Sequence, residues 1–211
     1  VVYSNRAQSR GRTYSFDYVR ADFRPEVLDD APSLPGQHPI RRFFTSVPEE
    51  VREVEELVAE LTRGEDSDYD KVMAIYTHFS RENGYRYSLN TEGGTSGRDI
   101  VDFLTNKVGF CQQYAAALAW LVRAADIPAR VAFGFTNGSN RQENTYTLTN
   151  LNLHAWTEVY FDVIGWVPFD ATPAASIAGS VRSQWAPDTD APDQVGPSAA
   201  PSAAPGPHNY L

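Results

Sequence analysis

The sequence predicts an α+β fold, helices first and strands after, and three patterns carry the prediction. Between residues 49 and 106 apolar side chains recur at helical spacing. Residues 129–169 contain short alternating or apolar runs bounded by turn formers, the pattern of strands. Between the two lies Cys111–Ala125, apolar nearly all round, which reads as a buried central helix with helices and an antiparallel sheet packed about it.

Taken in order, Glu49–Arg63 places Val51, Val54, Leu57, Val58 and Leu61 on one stripe. Tyr69–Glu82 repeats the pattern with Val72, Met73, Ile75, Tyr76 and Phe79, and Asp99–Asn106 is a short helix ahead of the cysteine. Strands are expected at Ala129–Thr136, Asn144–Asn150, Leu153–Phe161 and Trp166–Phe169. Phe161–Gly165 joins the last two as a hairpin, and Asn137-Gly138 is a turn signal. This core, residues 49–174, is flanked on both sides. Residues 1–48 are an extension poor in helical periodicity, with a strand-like run at Tyr14–Arg20 and short turns from Pro25 to Pro48. Residues 175–211 turn to Pro, Ala, Ser and Gly, the composition of a flexible tail or linker, with Trp185 at its root.

With 211 residues, 42% of them hydrophobic, the chain can bury a substantial core. Its net charge of −9 argues against nucleic acid and against an anionic membrane surface as partners. No apolar run approaches the length of a membrane span, so no direct membrane insertion is expected. The chain begins at Val1 without methionine and reads as part of a longer protein. Asp66-Ser67-Asp68-Tyr69-Asp70 spaces carboxylates like half a calcium loop but lacks the glycine and glutamate such a loop needs, and reads as a solvated helix start. One cysteine and four scattered histidines give no metal-ligand spacing, so no metal and no cofactor is expected.

The chemistry concentrates in three residues. Cys111 is the only cysteine, so it has no internal disulfide partner. At a helix N-terminus it faces unpaired N–H groups and the positive end of the dipole, which favours a thiolate nucleophile; a small buried hydrophobe is the plainer reading. In Leu153-His154-Ala155-Trp156-Thr157-Glu158, strand alternation puts His154, Trp156, Glu158 and Tyr160 on one face. Asp170 closes the following strand, so a hairpin can set His154 and Asp170 side by side, although each also fits an ordinary half-buried strand or turn position. Together they form a possible Cys–His–Asp set: nucleophile, base and orienting carboxylate. Acyl transfer also needs an oxyanion hole. The Cys111 N–H is one donor, and Gln112, Tyr87 or a tryptophan indole are candidates for the second.

Gly109-Phe110-Cys111-Gln112-Gln113-Tyr114-Ala115, Ile127-Pro128-Ala129-Arg130-Val131, His154-Ala155-Trp156-Thr157-Glu158-Val159-Tyr160 and Gly165–Pro173 occur in an order that resembles the bacterial transglutaminase-like superfamily, closest to its membrane-anchored TgpA-type branch. The resemblance covers residues 68–174. It implies a papain-like fold, with Cys111 as nucleophile, His154 as general base and acid, and Asp170 as orienting residue. It further implies cysteine-dependent acyl transfer on a glutamine carboxamide or a peptide amide, a protein or peptide substrate, and an extracytoplasmic position in a membrane-anchored parent protein. Asp126 stands where the family usually has glycine, and Leu153 where a small or acidic residue often precedes the histidine. Amine and water both remain open as acyl acceptors, since pocket shape decides between them. A non-catalytic binding or scaffold module on the same fold is the alternative function.

Overall fold

The computed structural model describes residues 13, 15, 17, 21–48, 51–91, 94–138, 141–143 and 145–190. Most of the strand-like run at 14–20 and the low-complexity stretch from 191 onward lie outside the described residues. In chain order the helices are α1 (Pro25–Asp29), α2 (Pro39–Phe44), α3 (Arg52–Leu61), α4 (Asp68–His78), α5 (Gly97–Asn106) and α6 (Cys111–Ala124). The strands are β1 (Arg86–Tyr87), β2 (Val108–Gly109), β3 (Ala129–Phe135), β4 (Arg141–Gln142), β5 (Thr145–Tyr146), β6 (Leu153–Phe161) and β7 (Gly165–Phe169).

The all-round apolar character of α6 sets the plan. Ten of its fourteen residues are buried, and α3, α4, α5, β3 and β6 all pack against it. Leu118, Leu121, Ile75, Phe79 and Phe103 meet in one cluster with Val159, Val167 and Phe169 from the sheet. The antiparallel sheet has the order β3-β6-β7. Its register sets Gly134 opposite His154 and Phe169 opposite Thr157. Along β6, Ala155, Thr157 and Val159 are fully buried, whereas Trp156, Glu158 and Tyr160 on the other face are only half-buried. The fold is therefore the mixed α and antiparallel β arrangement that the periodicity predicts.

Local chemistry fixes the ends. Ser67 caps α4 by accepting from Asp70 N at 2.9 Å. That helix stops at His78, short of the predicted Glu82, because the Asn83 side chain donates to the His78 carbonyl at 3.1 Å and Gly84 turns with φ of +91°. A reciprocal Ser96/Asp99 capping box starts α5 two residues ahead of the predicted Asp99. At the end of α6, Asp126 takes φ of +62°, the left-handed conformation that glycine adopts more cheaply. Its N–H bonds the Arg123 carbonyl at 2.9 Å and the Ile127 N–H bonds the Val122 carbonyl at 3.1 Å, which satisfies two otherwise orphaned helix carbonyls. The Asp126 carboxylate is in turn held by Arg41 of α2.

Three sequence expectations need correction. The predicted strand Asn144–Asn150 does not join the sheet. Only Thr145–Tyr146 pairs, in a small exposed hairpin with Arg141–Gln142, and Asn152 Oδ1 accepts from Thr149 N at 2.9 Å to wind the chain into a 3-10 turn. Residues 25–44, expected as short turns, contain two helices, each opened by proline at its first position, where its missing N–H costs nothing. Leu28 is fully buried in the main core, and Phe44 packs edge-on against Trp166 at 4.9 Å, so this extension is joined to the core. Finally, the core does not end at residue 174. Residues 175–190, assigned by composition to the tail, return across the sheet edge, and Trp185 and Ala186 are buried with the central cluster. The large indole supplies enough apolar area to order a segment whose other residues could not.

Candidate active site

Cys111 is the first residue of α6 and 9% exposed. Phe110 precedes it in extended conformation and offers no side-chain cap to the first turn. Instead Gln113, itself buried, folds back so that its Oε1 accepts from Phe110 N at 3.2 Å. Two residues upstream, Gly109 leaves no room for a side chain: a Cβ there would lie 2.7 Å from the Phe103 ring. Strands β1 and β2 pair in parallel and align Tyr87 with Gly109, which brings Tyr87 to the cysteine end of α6.

His154 is the second residue of β6 and 6% exposed. Its Nε2 donates to Asp170 Oδ2 at 2.7 Å, Asp170 lying one residue past the end of β7. The Trp156 ring lies alongside the imidazole at a centroid distance of 6.3 Å, over Gly134, where a Cβ would sit 2.8 Å from the indole. Nδ1 is buried without a well-formed hydrogen bond among the described residues. Besides Asp170, the neighbour that acts on the imidazole is the Cys111 thiol. Burial disfavours the charged ring, but the Asp170 carboxylate and the Cys111 sulfur outweigh it and push the His154 pKa up from 6.5 to about 9. Asp170 shows the opposite balance. Burial would raise its pKa, yet His154, Arg182 and the Thr172 N–H, which Oδ1 accepts at 3.1 Å, hold it below its ordinary range.

The structure thus brings His154 and Asp170 together and sets Cys111 beside the imidazole. Such an arrangement can carry a proton between a sulfur and a leaving group while a carboxylate fixes the ring. A cavity of about 320 Å³ opens on the same pair, walled by Phe135, Trp156, Pro168 and Val181. Leu153, the residue before the histidine and the first of the central strand β6, is 59% exposed.

A sequence model of the transglutaminase-like superfamily matches residues 55–171, a stretch that contains Cys111, His154 and Asp170. The chain belongs to the transglutaminase-like superfamily. This superfamily member is 36% identical to the uncharacterized protein YebA of Bacillus subtilis over 135 residues, 60% of the chain and 18% of that protein. It is also 36% identical to a protein-glutamine gamma-glutamyltransferase of Pseudomonas aeruginosa over 103 residues, 48% of the chain and 15% of that protein. The chain therefore spans less than a fifth of either curated relative. Its fold is similar to the crystal structure of the periplasmic domain of TgpA from Pseudomonas aeruginosa, with a TM-score of 0.55 and 29% identity over 63% of this chain and 46% of that one. A protein of known structure from Cytophaga hutchinsonii shares the fold at a TM-score of 0.50 and 23% identity, over 72% of this chain and 49% of that one. Among the described residues no helix is long and apolar enough to cross a membrane.

Sequence reasoning missed two groups at the site. Tyr76, read as a core residue, uses its hydroxyl to donate to the Asp170 carbonyl at 3.1 Å and to the Pro187 carbonyl at 2.8 Å. Arg182, hidden in the supposed tail, reaches Asp170 Oδ2 at 3.0 Å. The one signal for it was Trp185 three residues on, an indole out of place in a linker.

Proposed function

We propose that this domain is a cysteine-dependent acyltransferase or amidase that works through Cys111, His154 and Asp170. The observation that carries the reading is the position of His154, with Nε2 on the Asp170 carboxylate, Nδ1 buried, and Cys111 near enough to act on the ring. Cys111 Sγ attacks the carbonyl of a glutamine carboxamide or peptide amide. The imidazolium gives its proton to the departing ammonia or amine, and a thioester remains on Cys111. An amine or water then attacks the thioester, His154 takes the attacker's proton, and the sulfur leaves as the thiolate, which restores the starting pair. Asp170 keeps the imidazole in the tautomer that places its basic nitrogen toward the sulfur.

The developing oxyanion needs donors. The Cys111 N–H at the uncapped start of α6 is one. Of the candidates for the second, Tyr87 is favoured: it is half-buried, and after burial itself the nearby Cys111 is the group that raises its hydroxyl pKa. Glutamine carboxamide as acyl donor is supported by the 36% identity to a protein-glutamine gamma-glutamyltransferase. An extracytoplasmic position in a membrane-anchored parent is supported by the similarity to a periplasmic domain.

Incubation with a glutamine-containing peptide and a labelled primary amine tests the reading, with release of ammonia or cleaved peptide followed in parallel. Turnover that Cys111→Ala abolishes is the expected result, and the product identifies the acceptor. Full turnover by Cys111→Ala would overturn the nucleophile assignment.

A further inference from the structure

Asp170 is nearly buried, and one of its oxygens serves two cations. Oδ2 accepts from His154 Nε2 at 2.7 Å and lies 3.0 Å from Arg182 Nη1. The same guanidinium donates to the Asp170 carbonyl at 2.8 Å and to the Thr172 carbonyl. Arg182 therefore grips both the carboxylate and the backbone that aims it, a task its rigid planar fork performs better than a lysine would. Its side chain is 15% exposed, so this charge is largely removed from water.

The segment that delivers Arg182 is anchored on both sides. Before it, Thr136 Oγ1 donates to the Ala178 carbonyl at 2.7 Å, and Gly179 crosses Gly138 so closely that a Cβ would sit 2.5 Å from the Gly138 nitrogen. After it, Trp185 Nε1 donates to the Pro168 carbonyl at 2.9 Å, and the Tyr69 hydroxyl donates to the Trp185 carbonyl at 2.8 Å. Asp190 closes the strap by accepting from Arg81 N at 2.6 Å. The strap residues themselves, 178–190, lie past residue 171, where the family match ends.

The proposed cycle makes a specific demand here. When His154 has given up its proton, Asp170 loses its imidazolium partner while still buried, and a buried carboxylate without a cation tends to take up a proton. Arg182 is the cation that does not leave, because it takes no part in the proton transfers. We propose that Arg182 is a positioning residue that acts through Asp170, keeping its carboxylate ionised and aimed at His154 Nε2 throughout the cycle, so that residues 175–190 complete the active site.

This rests on the cysteine-acyltransferase reading, and two of its tests need no substrate. Arg182→Gln and Arg182→Lys are made in the 211-residue chain, with Trp185→Phe as a control that loosens the strap without touching Asp170. In the unsubstituted chain the His154 Nε2 proton, shared with a carboxylate, should give a far-downfield NMR resonance. Arg182→Gln should lose or shift that resonance. It should also slow iodoacetamide alkylation of Cys111 at neutral pH about tenfold, the scale of one lost hydrogen bond to a charged group, and Arg182→Lys should recover much of both. Trp185→Phe should lower the Tm and leave the resonance in place. With an active substrate, kcat should fall in Arg182→Gln with KM within about twofold. An unmoved resonance and parental alkylation in a folded Arg182→Gln would overturn the proposal, as would the same losses in Trp185→Phe. A resonance that moves as expected in a protein that turns over no amide would uphold Arg182 and overturn the acyl-transfer reading.

Discussion

The Thr157 hydroxyl of β6 donates to the Ala115 carbonyl of α6 at 2.8 Å, with Thr157 fully buried. This bond joins the strand that carries His154 to the helix that carries Cys111, one turn from the sulfur. Thr157→Val keeps the shape and removes the donor. It should cost about 1 kcal/mol in urea denaturation and slow Cys111 alkylation measurably. If alkylation is unchanged while stability falls, the bond serves the fold and not the site.

Cys111→Ala tests the nucleophile with little structural penalty. Alanine is a good helix residue and the sulfur is small, so stability should change by about 1 kcal/mol. Activity on any amide substrate should vanish. Circular dichroism and thermal melts distinguish this outcome from unfolding.

Asp170→Asn keeps the side chain's size but removes the charge that raises the His154 pKa and sets its tautomer. A rate loss of several powers of ten is expected, as in other triads. NMR titration should find His154 well below about 9. A His154 titration unchanged in the variant would remove Asp170 from the role proposed for it.

The same pair sets a pH window for stability. His154 is raised in the folded state, so its contribution is complete below its ordinary value of 6.5 and lost as pH rises through about 9. Asp170 is lowered, so its contribution is present above its ordinary value and lost as pH falls through the depressed one. Between roughly pH 4 and 6.5 both contribute fully. Urea midpoints should therefore fall from pH 6.5 to 10, and Asp170→Asn should flatten that fall. A flat profile in the parent protein would contradict the coupling.

Trp185→Ala measures how firmly the strap is docked. The indole is 7% exposed, packs edge-on against Phe23 at 5.1 Å and donates to Pro168. Its loss should cost about 3 kcal/mol or more, the scale of a large buried aromatic. A change under about 0.5 kcal/mol, typical of a surface position, would return these residues to the status of a tether.

By itself the sequence determined the helices and the sheet strand whose burial leaves a period in the residues themselves: the stripes of α3 and α4, the all-round apolar α6, the alternation of β6. It also marked Cys111, His154 and Asp170, whose neighbours resemble a known motif order. Tertiary structure decided the rest. The 145–151 run alternates Tyr146 and Leu148 with threonines like a strand, yet both stay exposed because Asn152 winds the chain into a 3-10 turn, and the run pairs only with its own short partner. The prolines of residues 25–44 read equally as turn or helix start, and only the docking of Leu28 and Phe44 selects the helix. For Arg182 the sequence held only the indirect sign of Trp185 and nothing that pairs it with Asp170, since a salt bridge between a strand end and a returning strap depends on how the chain crosses Gly138, and no period in the sequence records a crossing.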